Sequence, residues 1–158
     1  MNGSLQTGVH FGLTSGVITT LGLMVGLHSG THSSRAVVGG ILTIAIADAF
    51  SDALGIHVAE EAENVHTARE IWLATGTTFL TKFCMALTFL VPVMLCELST
   101  AIILGVVWGL GVLTLLSYQL ARAQGIRPWK VIGEHLVIAG AVITITHEIG
   151  DWVATSFK

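Results

Sequence analysis

Charged side chains are scarce in this chain. Asp, Glu, Lys and Arg make up 11% of its 158 residues, against about 25% in an ordinary soluble domain. That deficit excludes a surface built to face water on every side, and no stretch reads as a separate soluble domain. Basic residues are also few: seven Lys and Arg against ten Asp and Glu give a net charge of −3. There is therefore no basic footprint for nucleic acid, and none is expected as a partner. The two cysteines, Cys84 and Cys96, are twelve positions apart in one apolar run. On a helix that separation is too long to bridge, so both are expected to be small buried hydrophobes. The opening residues MNGSLQTG carry no basic cluster of a secretory signal, and no lipidation motif is visible. The first apolar segment is accordingly expected to be a retained membrane span.

What the chain has instead is apolar length. Hydrophobic residues make up 53% of it. A spanning helix needs about 20 mostly apolar residues, and five stretches qualify: 9–27, 36–58, 71–95, 100–120 and 131–157. The expected fold class is an all-α polytopic membrane protein forming one transmembrane domain, with connections at His28–Arg35, Ala59–Glu70, Cys96–Ser99 and Ala121–Lys130. The inner connections then hold Arg69, Arg122, Arg127 and Lys130, and the outer side holds Arg35 and Lys158. This bias predicts a cytoplasmic N-terminus and a C-terminus on the opposite side. Pro92 predicts a kink or helix end near the outer face.

The most informative stretch is Ile41 to Glu63. It is apolar enough to enter a bilayer, yet it carries Asp48 and Asp52 four residues apart, on one helix face. An acidic side chain at membrane depth costs about 3 kcal/mol on insertion scales. Two on one stripe need a compensating cation, proton or basic side chain. Lys82, deep in the third segment, is one such side chain and could neutralise either. Beyond the run, His57, Glu60, Glu63 and His66 recur every three residues. If the helix continues, they form a stripe of carboxylate and imidazole ligands, a mixture that suits Fe²⁺, Mn²⁺ or Zn²⁺ better than Mg²⁺. A solvated acidic collar is the alternative. His147, Glu148 and Asp151 cluster near the end of the fifth segment, as a headgroup-level polar group or an outer exit. His28 and His32 are read as part of a turn, because the glycine and serines of His28–Arg35 favour one. In the first segment, Gly12/Gly16, Gly22/Gly26 and Gly26/Gly30 are small-xxx-small pairs that let helices approach closely.

These residues carry a family resemblance. Thr14 to Leu27, TSGVITTLGLMVGL, resembles the first helix of the vacuolar iron transporter family, NDGLVSTxxLMxGV. Ser51, Ala53 and Gly55 are similar to its second-helix signature S-M-A-x-G-E, and ITITHEIGDW to its closing V-T-Y-x-I-G. Three family positions differ: an aspartate falls on Ser15, a methionine on Asp52 and a glutamate on Ile56. The soluble metal-binding insert is replaced by Ala59–Glu70. The resemblance implies a homodimer in the lipid bilayer that exchanges Fe²⁺ or Mn²⁺ for protons, with the metal as cargo and no tightly bound cofactor. The path is expected to include Ser15, Asp48, Asp52 and Met24. Metal is expected at Asp48, Asp52, His57, Glu60, Glu63 and His66, with an outer exit at His147, Glu148 and Asp151. No enzymatic activity is expected. A sensor or scaffold on the same fold, or an intramembrane metalloenzyme, is the alternative.

Overall fold

The computed structural model describes residues 3–157, so Lys158, counted above toward the outer charge, lies outside them. Six helices follow one another: α1 Gly3–Thr31, α2 Ser34–Glu63, α3 Ala68–Thr88, α4 Leu90–Leu95, α5 Leu98–Gln124 and α6 Pro128–Ser156. No strand occurs among the described residues. With α3 and α4 taken together, the described residues include five helices long and apolar enough to cross a membrane, as the five apolar stretches predict. Large apolar side chains such as Phe50, Leu54, Leu80, Ile103, Val107 and Val137 point outward. An outward apolar surface of this kind suits hydrocarbon better than water.

Most helices run beyond their apolar segments, and local chemistry sets where they stop. The predicted loop His28–Arg35 shrinks to His32 and Ser33, so His28 is helical rather than part of a turn. Ser33 restarts the chain by accepting a hydrogen bond from the backbone of Ala36 at 3.4 Å, an N-cap. The α2 helix continues through Glu63 and ends at Asn64, which takes the left-handed conformation that short polar residues tolerate. Thr67 and Glu70 then open α3 with a reciprocal capping box. The α5 helix closes on Gly125, whose φ of 67° suits glycine at a helix end. Pro128 opens α6, where its missing N–H costs nothing. The expected disruption at Pro92 falls at Phe89, between α3 and α4. Proline cannot donate to the carbonyl of residue i−4, here Thr88, and its ring crowds it.

The α1 helix is the hub, packing against α2, α3, α5 and α6. Its glycines make this possible. A side chain at Gly12 would collide with the Thr78 carbonyl at 2.6 Å, and one at Gly16 would press on Met85 at 3.1 Å. Gly8, Gly12 and Gly16 therefore form a groove that admits α3. Farther along, Gly26 and Gly30 face Thr146 and Gly150 of α6. Between them, Leu21 and Met24 of α1 fill the space over Gly109 and Gly105 of α5. The apolar core around them includes Val17, Val37, Ile41, Phe89 and Leu113. Gly8 packs near the start of α3 and Gly30 near the end of α6, so the first and last helices begin and end at opposite ends of the bundle. The cysteines depart from expectation. Both are free and exposed, because periodicity in a uniformly apolar helix does not say which face turns outward.

Candidate functional site

Three helices meet at mid-depth around Lys82. The glycine groove of α1 draws α3 close, and α2 lies across both. The Lys82 side chain is only 2% exposed. Its Nζ lies 2.6 Å from Asp48 Oδ2 and 2.5 Å from Asp52 Oδ2. It donates to Asp52 and, at 2.9 Å, to Ser15 Oγ. Ser15 in turn donates to Asp52 at 2.5 Å. The Asp48 contact is ionic without hydrogen-bond alignment, so that oxygen keeps an unused acceptor position. Ser15, Asp48, Asp52 and Lys82 thus form one polar cluster, and Lys82 pairs with both aspartates rather than with either one alone.

The charges do not balance. When all are ionised, one ammonium faces two carboxylates, leaving one negative charge in an apolar surround. The carboxylates are reachable from the side, since Asp48 is 30% and Asp52 20% exposed. A proton, a metal ion or a further basic group can complete the charge there.

The other predicted residues divide into separate groups. Glu60, Glu63 and His66 do meet at one end of the bundle, with His66 Nε2 3.4 Å from Glu60 Oε2 and 3.2 Å from Glu63 Oε2. They do so because the chain turns back after Asn64, and not as a continuous helical stripe. Glu60 is buried and also lies 3.5 Å from the Ser4 hydroxyl. His57 leaves this group. Its Nδ1 pairs with Thr75 Oγ1 at 2.9 Å and its ring lies edge-on to Trp72. His57 and Trp72 line an open apolar groove of about 380 Å³ with Phe50, Leu54 and Phe79. Met24 is fully buried in the apolar core over Gly105, apart from Ser15 and the carboxylates. Among the described residues, no three His, Cys, Asp or Glu side chains are disposed to hold a metal ion. Within a single chain the expected metal ligands thus fall into separate groups: Asp48 and Asp52 at Lys82, Glu60, Glu63 and His66 at the bundle end, and His57 apart from both.

At the opposite end, His147 Nδ1 meets the Ser29 hydroxyl, and its Nε2 lies 3.6 Å from Asp151 Oδ2. Glu148 is exposed and forms no ion pair among the described residues. The His28 and His32 rings lie 5.4 Å apart nearby.

Sequence reasoning missed Ser4 and Gly8. The glycine was visible as one more step of the four-residue spacing that ends at Gly16. Fold and site together define an all-helical chain, consistent with a multi-pass membrane protein, that holds an uneven ion-pair cluster within its span. No family model and no curated protein sequence matches the chain.

Proposed function

We propose that this protein moves a divalent transition-metal cation across a membrane in exchange for protons, using the Ser15–Asp48–Asp52–Lys82 cluster as its exchange site. The observation that carries this reading is the excess of one carboxylate over ammonium around Lys82. A buried ion pair is seldom the most stable filling for an apolar space; apolar residues of similar volume often do as well or better. Ionisable groups at membrane depth are costly and mark ion or proton pathways. The resemblance to the vacuolar iron transporters points to Fe²⁺ or Mn²⁺ as cargo.

In this reading Lys82 is a tethered stand-in for the cargo. It occupies the carboxylates when no metal is present, and an arriving divalent cation displaces it. One chain offers too few ligands. A two-fold homodimer formed on the outward side of α2 would bring Asp48 and Asp52 of both copies together. Four carboxylates would then face two Lys82 ammoniums, and the excess negative charge is where protons and the metal would exchange. The test is proton movement in proteoliposomes on adding Mn²⁺. The reading requires a flux that Asp48→Asn/Asp52→Asn abolishes. Wild-type flux in that variant sinks it.

A second reading is a sensor or scaffold with no transport. It is favoured by the complete burial of Lys82 between both aspartates, since a permanently closed pair would tie α2 to α3. Folded protein that shows no flux with Fe²⁺ or Mn²⁺ selects it.

A further inference from the structure

The open groove between α2 and α3 has walls made of rings. Phe50 and Phe79 lie 4.5 Å apart between centroids, and His57 and Trp72 4.8 Å apart. The hydrogen bonds of His57 set which nitrogen carries its proton. The Ile71 carbonyl can only accept, so at 2.7 Å it takes the Thr75 hydroxyl hydrogen. The Thr75 oxygen then accepts from His57 Nδ1–H at 2.9 Å. In the neutral ring this leaves Nε2 a bare acceptor, with no hydrogen-bond partner among the described residues.

The lining of the groove points to an occupant as well. Gly76 of α3 faces it, and a side-chain carbon added there meets nothing within 4 Å. Glycine inside a helix is less stable than alanine. At Gly8 and Gly12 the close approach of α1 and α3 explains the glycine; at Gly76 no neighbour among the described residues does. The missing side chain leaves room for something the chain does not supply. Depth describes it further. His57 stands at the end of the apolar stretch 36–58, where headgroups begin, and Phe50 lies two turns deeper, about 10 Å along the helix. The occupant therefore has a hydrogen-bond donor at one end and an apolar body below. A phosphodiester headgroup offers His57 only more acceptors, whereas a hydroxyl offers the donor it lacks. A flat, rigid body suits ring walls and loses less freedom on binding than an acyl chain.

We infer that this groove is a binding site for a fused-ring lipid alcohol of the sterol type. Its hydroxyl donates to His57 Nε2, and its flat body lies over Gly76 between Trp72, Phe79 and Phe50. The site touches α2 and α3 at once. An occupant thus braces the helix that carries Asp48 and Asp52 against the one that carries Lys82. No metal or proton need move at that cluster for the lipid to bind, so the site stands or falls apart from the exchange reading.

The experiment is saturation binding of radiolabelled cholesterol to the purified full chain in dodecylmaltoside micelles, read by scintillation proximity. Saturable binding by the wild-type protein is expected. Gly76→Leu fills the groove and should lower the affinity about tenfold or more. Gly140→Leu, at another open helical glycine, should leave it unchanged. Unlabelled cholesterol should displace the label from the wild-type protein about five- to tenfold more effectively than its 3-methyl ether, which has no hydrogen to donate. In His57→Phe, which keeps a ring beside Trp72, the two competitors should be equal. Folded wild-type protein that binds no cholesterol saturably overturns the site, and is the result expected if a second copy or a phospholipid covers the groove instead. Binding that Gly76→Leu leaves unchanged also overturns it, because the sterol then sits elsewhere. Equal competition by the methyl ether on the wild-type protein removes His57 as the anchor, and the proposal with it. That competition uses no variant, so it decides the matter even where a substitution prevents folding.

Discussion

Lys82 on α3 and Asp52 on α2 meet at 2.5 Å, and the lysine is almost wholly withdrawn from the surface. Asp48 and Ser15 hold the same ammonium from either side. Removing one member of such a buried set leaves its partners uncompensated, which typically costs about 3–5 kcal/mol. Replacing the whole set with neutral groups removes the imbalance as well as the attraction.

Lys82→Met is therefore expected to lower the unfolding free energy by about 3–5 kcal/mol. Asp48→Asn/Asp52→Asn/Lys82→Met should recover most of that loss. Thermal unfolding in one detergent compares the two. A triple variant as unstable as Lys82→Met would mean that the lysine acts through packing rather than charge.

Lys82 also competes with any cation for the carboxylates. Lys82→Gln removes that competitor, and folded protein should bind Mn²⁺ about tenfold more tightly or better, since each 1.4 kcal/mol is worth a factor of ten. Isothermal titration measures this. Equal or weaker binding would show that Lys82 is not the stand-in for the cargo.

The approach of α1 to α3 depends on the absence of a side chain at Gly12, where an added carbon meets the Thr78 carbonyl at 2.6 Å. Gly12→Ala is expected to cost about 1–3 kcal/mol and to weaken the Ser15–Lys82 contact. At Gly140 nothing lies within 4 Å, and Gly140→Ala should be neutral or stabilising by up to about 1 kcal/mol. Thermal unfolding again reads the difference, and equal effects would refute the packing argument.

The proposed orientation places the α4–α5 link, with exposed Cys96, outside the cytoplasm. In sealed membrane vesicles of known orientation, a membrane-impermeant maleimide should label Cys96 only from the non-cytoplasmic side. A cysteine replacing Gln124, beside the α5–α6 link, should react only from the cytoplasmic side. The reverse pattern would invert the topology.

Much of this arrangement was legible in the chain. Five apolar lengths gave five candidate spans, Pro92 gave the interruption before α4, and the four-residue spacing of Asp48 and Asp52 put both carboxylates on one face. Lys82 was visible as a charge inside an apolar run, though spacing could not say that it would reach both aspartates. That depends on how close α3 lies to α1, which the glycines at 8, 12 and 16 set jointly. The helical ends were harder. Gly30 and Ser29 resemble a turn locally, but the close packing of α6 at Gly150 accompanies a continuous helix there. The cysteines were misplaced because, in a helix apolar on every side, hydrophobicity does not distinguish core from outer surface. His66 reaches Glu60 only because Asn64 turns the chain back.

The most direct measurement counts the protons released when purified protein binds Mn²⁺, by calorimetry in buffers of differing ionisation enthalpy. Binding that releases at least about one proton per metal, and that disappears in Asp48→Asn/Asp52→Asn, is the predicted result. Absence of Mn²⁺ binding, or binding and proton release unchanged in that variant, would contradict the exchange site.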